Sequence, residues 1–238
     1  RRAIDQAGVA DEYAYQLKKR GTEMRRDMEF DVVNTYNKQT TSGARQTGGF
    51  QSFINSNDTC VFKGAFTAPS TPNAGTSVIT VAAGAAKAAL ALTDIDSVMQ
   101  KIYENGGSAT RIMVSPKLRR DFSDLMVNDT GVRRNIDEDG KLRQSVDVYM
   151  SDFGDLMVVP NYIMGLAHTT TDATTTQFDA ADSAALIYDP QWFAMATLRP
   201  MQEVEVGQKG DSTVGMFVEE WSLEVKNPKG CGAVYGLA

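Results

Sequence analysis

A chain of 238 residues with 42% hydrophobic and 23% charged side chains can bury a substantial core as one large or two modest domains, which excludes wholesale disorder. The formal net charge is −6, and residues 1–31 hold seven basic and seven acidic side chains, so the remainder carries the whole excess, 17 basic against 23 acidic. That balance excludes a tight grip on nucleic acid, which needs clustered Lys and Arg to displace counterions from phosphates.

The first predicted element is a long helix. Ala10, Tyr13, Leu17, Met24, Met28 and Val32 follow the i, i+3, i+4, i+7 pattern, with Gly21 in the same stripe, from about Ala10 to Tyr36. At 1.5 Å per residue such a helix is roughly 40 Å long. The basic groups Lys18-Lys19-Arg20 and Arg25-Arg26 are interleaved with acids and read as a solvated face. Glu23 with Arg26, and Arg25 with Glu29, sit one turn apart and are expected to support the helix, while Asp27 and Asp31 oppose it. The stripe is thin and flanked by charge, so the helix is expected to lie across a sheet edge or another subunit.

Residues 38–84 are rich in Thr, Ser, Gly, Asn and Gln, with loop signals at Gly48-Gly49-Phe50 and Pro69-Ser70-Thr71-Pro72-Asn73 and one short strand over Val78–Val81. An irregular stretch this long predicts a surface connection that touches neighbours. Thr93, with Asp96 three residues on, then predicts a capped helix with Ile95, Val98, Met99 and Ile102 on one face and a stop at Asn105-Gly106-Gly107. Arg111–Val114 reads as a short buried strand. Ser115-Pro116 reads as an N-cap and first helical position, opening a helix that buries Leu118, Phe122, Leu125 and Met126.

Paired strands around Val148 and Val158 follow, joined by Ser151-Asp152-Phe153-Gly154, in which Gly supplies positive φ and the Asp bonds its own backbone. After the polar loop Thr169–Thr176, four segments read as strands: Ala184–Tyr188, Gln191–Leu198, Met201–Val206 and Thr213–Lys226. In the last, Val214, Met216 and Val218 have the opposite parity to Trp221, Leu223 and Val225. A strand's side chains repeat every two residues, so either a bulge interrupts it at Glu219-Glu220 or its halves bury opposite faces. The order of elements predicts an α+β fold with two lobes.

Chemistry-bearing groups are sparse. His168 is the single histidine and adjoins a threonine-rich loop. No GxSxG elbow, phosphate loop or dinucleotide fingerprint is present; Gly207-Gln208-Lys209-Gly210-Asp211-Ser212 has the wrong glycine spacing and reads as a hairpin turn. Asp137-Glu138-Asp139 lacks EF-hand spacing and reads as a solvated turn. Trp192 and Trp221 lie in strands and are expected as core aromatics. Cys60 and Cys231 are 171 positions apart without CxxC spacing, which points to neither a disulfide framework nor a zinc site and suits synthesis in a reducing compartment. No apolar run approaches the roughly 18–20 residues of a membrane span, and no signal peptide is visible. No catalytic, cofactor-binding or metal-binding residue is assigned, and no cofactor is expected.

The helix Asp11-Glu12-Tyr13-Ala14-Tyr15-Gln16-Leu17 with Arg26-Asp27-Met28-Glu29 resembles the long spine helix of tailed-phage major capsid proteins of the HK97-like fold, in the branch typified by phage SU10. Leu92-Thr93-Asp94-Ile95, Tyr103-Glu104-Asn105-Gly106-Gly107, Ile112-Met113-Val114-Ser115-Pro116, Val148–Gly154 and Val159-Pro160-Asn161 are similar to its axial domain. Leu186-Ile187-Tyr188-Asp189-Pro190, Leu198-Arg199-Pro200, Gly210-Asp211-Ser212 and Glu220-Trp221-Ser222-Leu223-Glu224 are similar to its peripheral strands. The resemblance implies a division into residues 1–40 (spine-helix region of the peripheral domain), 41–92 (irregular connecting segment), 93–180 (axial domain) and 181–238 (peripheral-domain strands).

It further implies a structural virion protein, not an enzyme, that tiles with copies of itself as hexamers and pentamers into an icosahedral shell. Such a shell assembles in the host cytoplasm, encloses double-stranded DNA through weak non-specific contacts, meets portal or decoration proteins, and involves no membrane. The resemblance implies an N-terminal arm and an extended hairpin loop before the spine helix, and neither is visible in the residues from Arg1 onward. Two other functions fit the same elements: an encapsulin-like compartment shell loaded with cargo protein, and a soluble α+β hydrolase using His168.

Overall fold

Ala184–Tyr188 is buried at all five positions because it runs through the middle of a sheet that carries a hydrophobic layer on each face. The structure is a computed structural model that describes residues 12–33, 46–64, 66–69, 72, 79–81, 87–128, 147–165, 183–206, 210 and 214–238. In chain order its helices are α1 (Glu12–Val33), α2 (Phe50–Phe53), α3 (Leu92–Glu104) and α4 (Pro116–Asn128). The strands are β1 (Val61–Phe62), β2 (Phe66–Thr67), β3 (Thr80–Val81), β4 (Arg111–Val114), β5 (Val148–Ser151), β6 (Gly154–Pro160), β7 (Ala184–Tyr188), β8 (Phe193–Val206), β9 (Val214–Val225) and β10 (Gly232–Tyr235). Short 3-10 turns cover Ile163–Gly165, Pro190–Trp192 and Pro228–Gly230.

Six strands form one sheet in the order β1-β10-β7-β4-β6-β5. The β1–β10 and β4–β6 pairs are parallel, and the others are antiparallel. Alternation sorts the side chains: Ile112, Val114, Leu156, Val158, Ala185, Ile187 and Val234 face one way and pack on Ile95, Val98, Met99 and Ile102 of α3 and Leu118 and Phe122 of α4. Among the described residues, α3 and α4 thus pack on one sheet that contains Ile112, Val148 and Val158. Each fully buried Ile, Leu or Phe here contributes about 1.5–3 kcal/mol. Ala184, Leu186, Tyr188, Ala233 and Tyr235 face the other way, onto Val33, Phe50, Ile54, Ile79 and Met164.

The second layer corrects one expectation. Residues 50–60, read as part of a surface connection, include Phe50, Gln51, Ser52, Ile54, Asn55 and Cys60 as buried positions. Most of their polar groups find partners: Ser52 Oγ donates to the Gly49 carbonyl (2.8 Å), Asn55 Nδ2 to the Ser52 carbonyl (3.1 Å) and Gln51 Nε2 to the Val33 carbonyl (3.1 Å), while Gln51 Oε1 is buried without one. Polar composition alone reads as loop, whereas local hydrogen bonding lets it be buried.

Helix α1 is continuous through Gly21 over 22 residues and is the longest among the described residues. Tyr13, Leu17, Gly21, Met24, Met28 and Val32 are half-buried, so the expected stripe is the packed one. Among the described residues its ion pair is Arg20–Glu23 (2.6 Å), rather than Glu23–Arg26. Glu29 accepts instead from Asn161 Nδ2 (2.9 Å), and the Arg26 guanidinium lies 6.0 Å over the Tyr162 ring.

Helix α3 starts two residues earlier than expected. Ala91 is its N-cap, and Asp94 rather than Asp96 reaches back to a free backbone N–H, that of Ala91 (2.9 Å), while also accepting from Lys63 Nζ (2.6 Å). Asp96 accepts instead from Tyr149 Oη (2.7 Å). The stop is as expected: Gly106 has φ +77°, and the Gly107 N–H returns to the Ile102 carbonyl (2.9 Å). Ser115 caps α4 through the Leu118 N–H (3.3 Å), and Leu118 and Phe122 are buried while Leu125 is half-buried; the side chain of Met126 lies outside the described residues.

In the β5–β6 hairpin it is the Ser151 hydroxyl, not an Asp carboxylate, that accepts the Phe153 N–H (3.2 Å), with Gly154 at φ +137°. The two expected strands 191–198 and 201–206 are one strand, β8, running through Pro200 and pairing with β9 as a ribbon. Its register shifts between Thr197 and Arg199 and again between Arg199 and Gln202, opposite Glu220 and Val218. The irregularity foreseen at Glu219-Glu220 therefore sits in the partner strand. Pro200 has no N–H to give to a ladder, so the extra residues collect beside it.

Residues 181–238 do not act as one set of strands: β7 and β10 join the six-stranded sheet, and β8 and β9 form the separate ribbon. Each strand matches its own pattern, but partner choice is set by tertiary packing.

Candidate assembly surfaces

Among the described residues, strand alternation leaves large apolar side chains in solvent at three places taken in turn below. Such patches mark surfaces made to be covered by another molecule. The first is the distal ribbon. Met201 and Glu203 face α1: a methyl on Gly21 would lie 3.9 Å from Met201 Cε, and Tyr13 Oη donates to the Glu203 carboxylate. The opposite parity, Val204 and Val206 paired with Met216 and Val214, is exposed. Trp221, Leu223 and Val225 are half-buried and share the parity of Gly215, which faces Tyr13 of α1, so one face of β9 turns inward along its whole length while Val214 and Met216 stay on the exposed face.

The second place is the bend of the ribbon, where Leu198 is 80% exposed beside the Arg199–Glu220 ion pair (2.7 Å). The third is the sheet face of the β5–β6 hairpin. Tyr149 and Leu156 turn toward the helices, leaving Val148, Met150 and Met157 exposed on the other side, with the Phe153 and Tyr103 rings tilted against each other at the tip (ring centroids 5.7 Å apart). Among the described residues β5 is also the edge of the sheet, and an edge presents N–H and C=O groups to a partner.

Burial pushes the thiols of Cys60 and Cys231 up to about 12, both on the same sheet face, so neither is a thiolate nucleophile at neutral pH. Burial likewise raises the Tyr235, Tyr188 and Tyr149 hydroxyls, the last helped by its bond to Asp96. Asp31 is raised by burial and then by Asp27 one turn earlier. A groove lined by Glu23, Arg26, Asp27, Phe30 and Ile163 holds no nucleophile paired with a base. Among the described residues no three His, Cys, Asp or Glu side chains gather as a metal site, and no helix is long and apolar enough to cross a membrane. His168, Asp137-Glu138-Asp139, Lys209, Asp211 and Ser212 lie outside the described residues. Trp192 is half-buried against the second-face core, and Trp221 is half-buried in β9.

The model of the SU10 major capsid protein family matches residues 1–238. The chain belongs to that family. Membership makes it a capsid shell subunit, implies a structural rather than enzymatic role, and implies association with copies of itself. The fold is HK97-like. It is similar to that of the holo-SrpI encapsulin complex from Synechococcus elongatus PCC 7942, with a TM-score of 0.58 at 10% identity over 97% of this chain and 68% of that one. Similarity at a TM-score of 0.47 and 14% identity extends to the capsid of cyanophage P-SCSP1u (98% of this chain, 67% of that one) and the procapsid of satellite phage P4 (94% and 64%). The chain spans about two thirds of the length of these proteins. No curated protein matches its sequence.

The residues that sequence reasoning did not single out are the exposed ones: Met150, Met157, Leu198 and Met195. Their signal was present as alternation, but alternation does not say which face of a strand is left uncovered.

Proposed function

We propose that copies of this chain tile as hexamers and pentamers into an icosahedral shell that encloses double-stranded DNA inside a virion, assembled in the host cytoplasm. The observation that carries this is the family match over all 238 residues. The exposed apolar ribbon and hairpin faces support it, since a shell uses many modest contacts whose effects multiply. In this reading α1 and the β8–β9 ribbon form a peripheral unit, while the six-stranded sheet with α3 and α4, including β7 and β10, forms the axial one. An acidic balance of 24 basic against 30 acidic side chains suits a wall that holds DNA loosely. Portal and decoration proteins are further partners in this proposal.

Negative-stain imaging of the purified protein tests it. Closed particles tens of nanometres across with nuclease-protected DNA are expected after infection, and a monodisperse monomer under all assembly conditions overturns it. The similarity to the encapsulin complex favours a second reading, a shell around cargo protein. Particles holding a co-purifying protein and no nucleic acid select that one.

A further inference from the structure

Helix α1 sorts its charges by face. At about 100° per residue, Tyr15, Lys18, Lys19, Thr22, Arg25 and Arg26 fall within an arc of about 120° on the side away from the packed stripe, and each of them is exposed. Glu12, Glu23, Asp27 and Asp31 lie on the neighbouring arc. Glu23 is taken by Arg20 (2.6 Å), and Glu29, the next residue on the cationic arc, accepts from Asn161 Nδ2 (2.9 Å). Among the described residues Lys18, Lys19, Arg25 and Arg26 enter no ion pair. The Arg26 guanidinium lies 6.0 Å over the exposed Tyr162 ring, and a guanidinium seated on an aromatic face keeps its N–H edge for an anion. The segments that read as interleaved charge in one dimension are therefore a cationic ridge in three.

From this we propose that the Tyr15–Arg26 ridge of α1 is where the shell wall meets duplex DNA, with Lys18, Lys19, Arg25 and Arg26 each contacting a backbone phosphate. The ridge rests on charge geometry; the polyanion being duplex DNA rests on the shell reading. Lys18-Lys19 and Arg25-Arg26 stand two turns apart, about 10 Å along the helix, close to the major groove's width of about 12 Å. The two pairs thus reach phosphates on both walls of one groove, and the Tyr15 and Thr22 hydroxyls add donors between them. Such contacts hold DNA without reading its sequence. A few per copy are weak, in keeping with the acidic balance of the chain, and they add up over many copies.

Salt dependence tests the ridge. Binding of the full chain, as free subunits, to a fluorescent mixed-sequence duplex is followed by anisotropy over a salt series. Log affinity should fall against log salt with a slope of about −3.6, which is about −0.9 for each of four phosphates. Lys18→Gln, Lys19→Gln, Arg25→Gln and Arg26→Gln should each make the slope shallower by about 0.9 whatever the duplex sequence, and the four together should abolish binding. Glutamine is as good a helix former, so the melting temperature should not change. Lys117→Gln with Arg120→Gln, exposed cations on α4, should leave the slope as it is. A slope unmoved by the four changes, an equal loss in the α4 control, or polyglutamate bound as tightly as the duplex overturns the proposal. Particles that close around DNA while the ridge variants keep the wild-type slope remove the ridge alone. The expected slopes in a chain that never forms particles leave the ridge standing and remove the shell reading.

Discussion

Asp31 shows how a single residue opposes its own helix. Burial and the Asp27 carboxylate raise its pKa above the ordinary 3.8, so the folded protein binds a proton more readily there than the unfolded chain does. Between 3.8 and the raised value the native state holds more protons, so stability falls as pH rises through that window and the penalty is fully present at neutral pH. Asp31→Asn should raise the melting temperature at pH 7, and the gain should disappear below about pH 3.8, where both states are protonated. The two thiols behave oppositely to reactive cysteines. With both pushed up to about 12, neither should react with a disulfide reagent at pH 8 in the native protein, and both should react in denaturant. Rapid native labelling of either would contradict the burial described.

At the scale of elements, α1 and β8 each carry a residue unsuited to regular structure, with different consequences. Gly21 sits mid-helix, where glycine is less favourable than alanine by roughly 0.5–1 kcal/mol. A methyl there meets only Met201 Cε at 3.9 Å, an ordinary contact. Gly21→Ala should therefore stabilise the chain by about 0.5–1 kcal/mol in urea unfolding; destabilisation would mean that the helix seats on the ribbon more tightly than this spacing allows. Gly232 in β10 is the contrasting case. A methyl there would lie 2.2 Å from the Thr59 carbonyl oxygen and 2.6 Å from a Val98 methyl, in the strand that joins β1 to β7. Gly232→Ala should cost about 1–3 kcal/mol or prevent folding, as overpacked cores do, and soluble yield with the urea midpoint measures it.

On the scale of the whole molecule, stability and assembly are placed in different parts. β7 is paired on both sides and buried on both faces, while the ribbon is two strands with an exposed apolar face. Local opening follows contact density. Amide exchange in β7 should be slow in free subunits and shells alike, whereas Val204–Val206 and Val214–Met216 should exchange quickly in free subunits and slow at least about tenfold in shells. Equal ribbon protection in both forms would remove that face from the assembly contacts.

Local pattern determined much of this by itself. The stripe of α1, the apolar face of α3, the Ser115-Pro116 start, the Gly106 stop and the two-residue hairpin turn follow from side-chain periodicity and backbone preferences that act over a few residues. Only the tertiary structure decided that β7 and β10 enter the central sheet, that residues 50–60 form its second covering layer, and that the register slips beside Pro200 rather than at Glu219-Glu220. It also decided which strand faces stay uncovered. Strand pairing and burial of polar segments depend on which distant surfaces meet, and periods of 2 and 3.6 residues carry no information about a partner far along the chain.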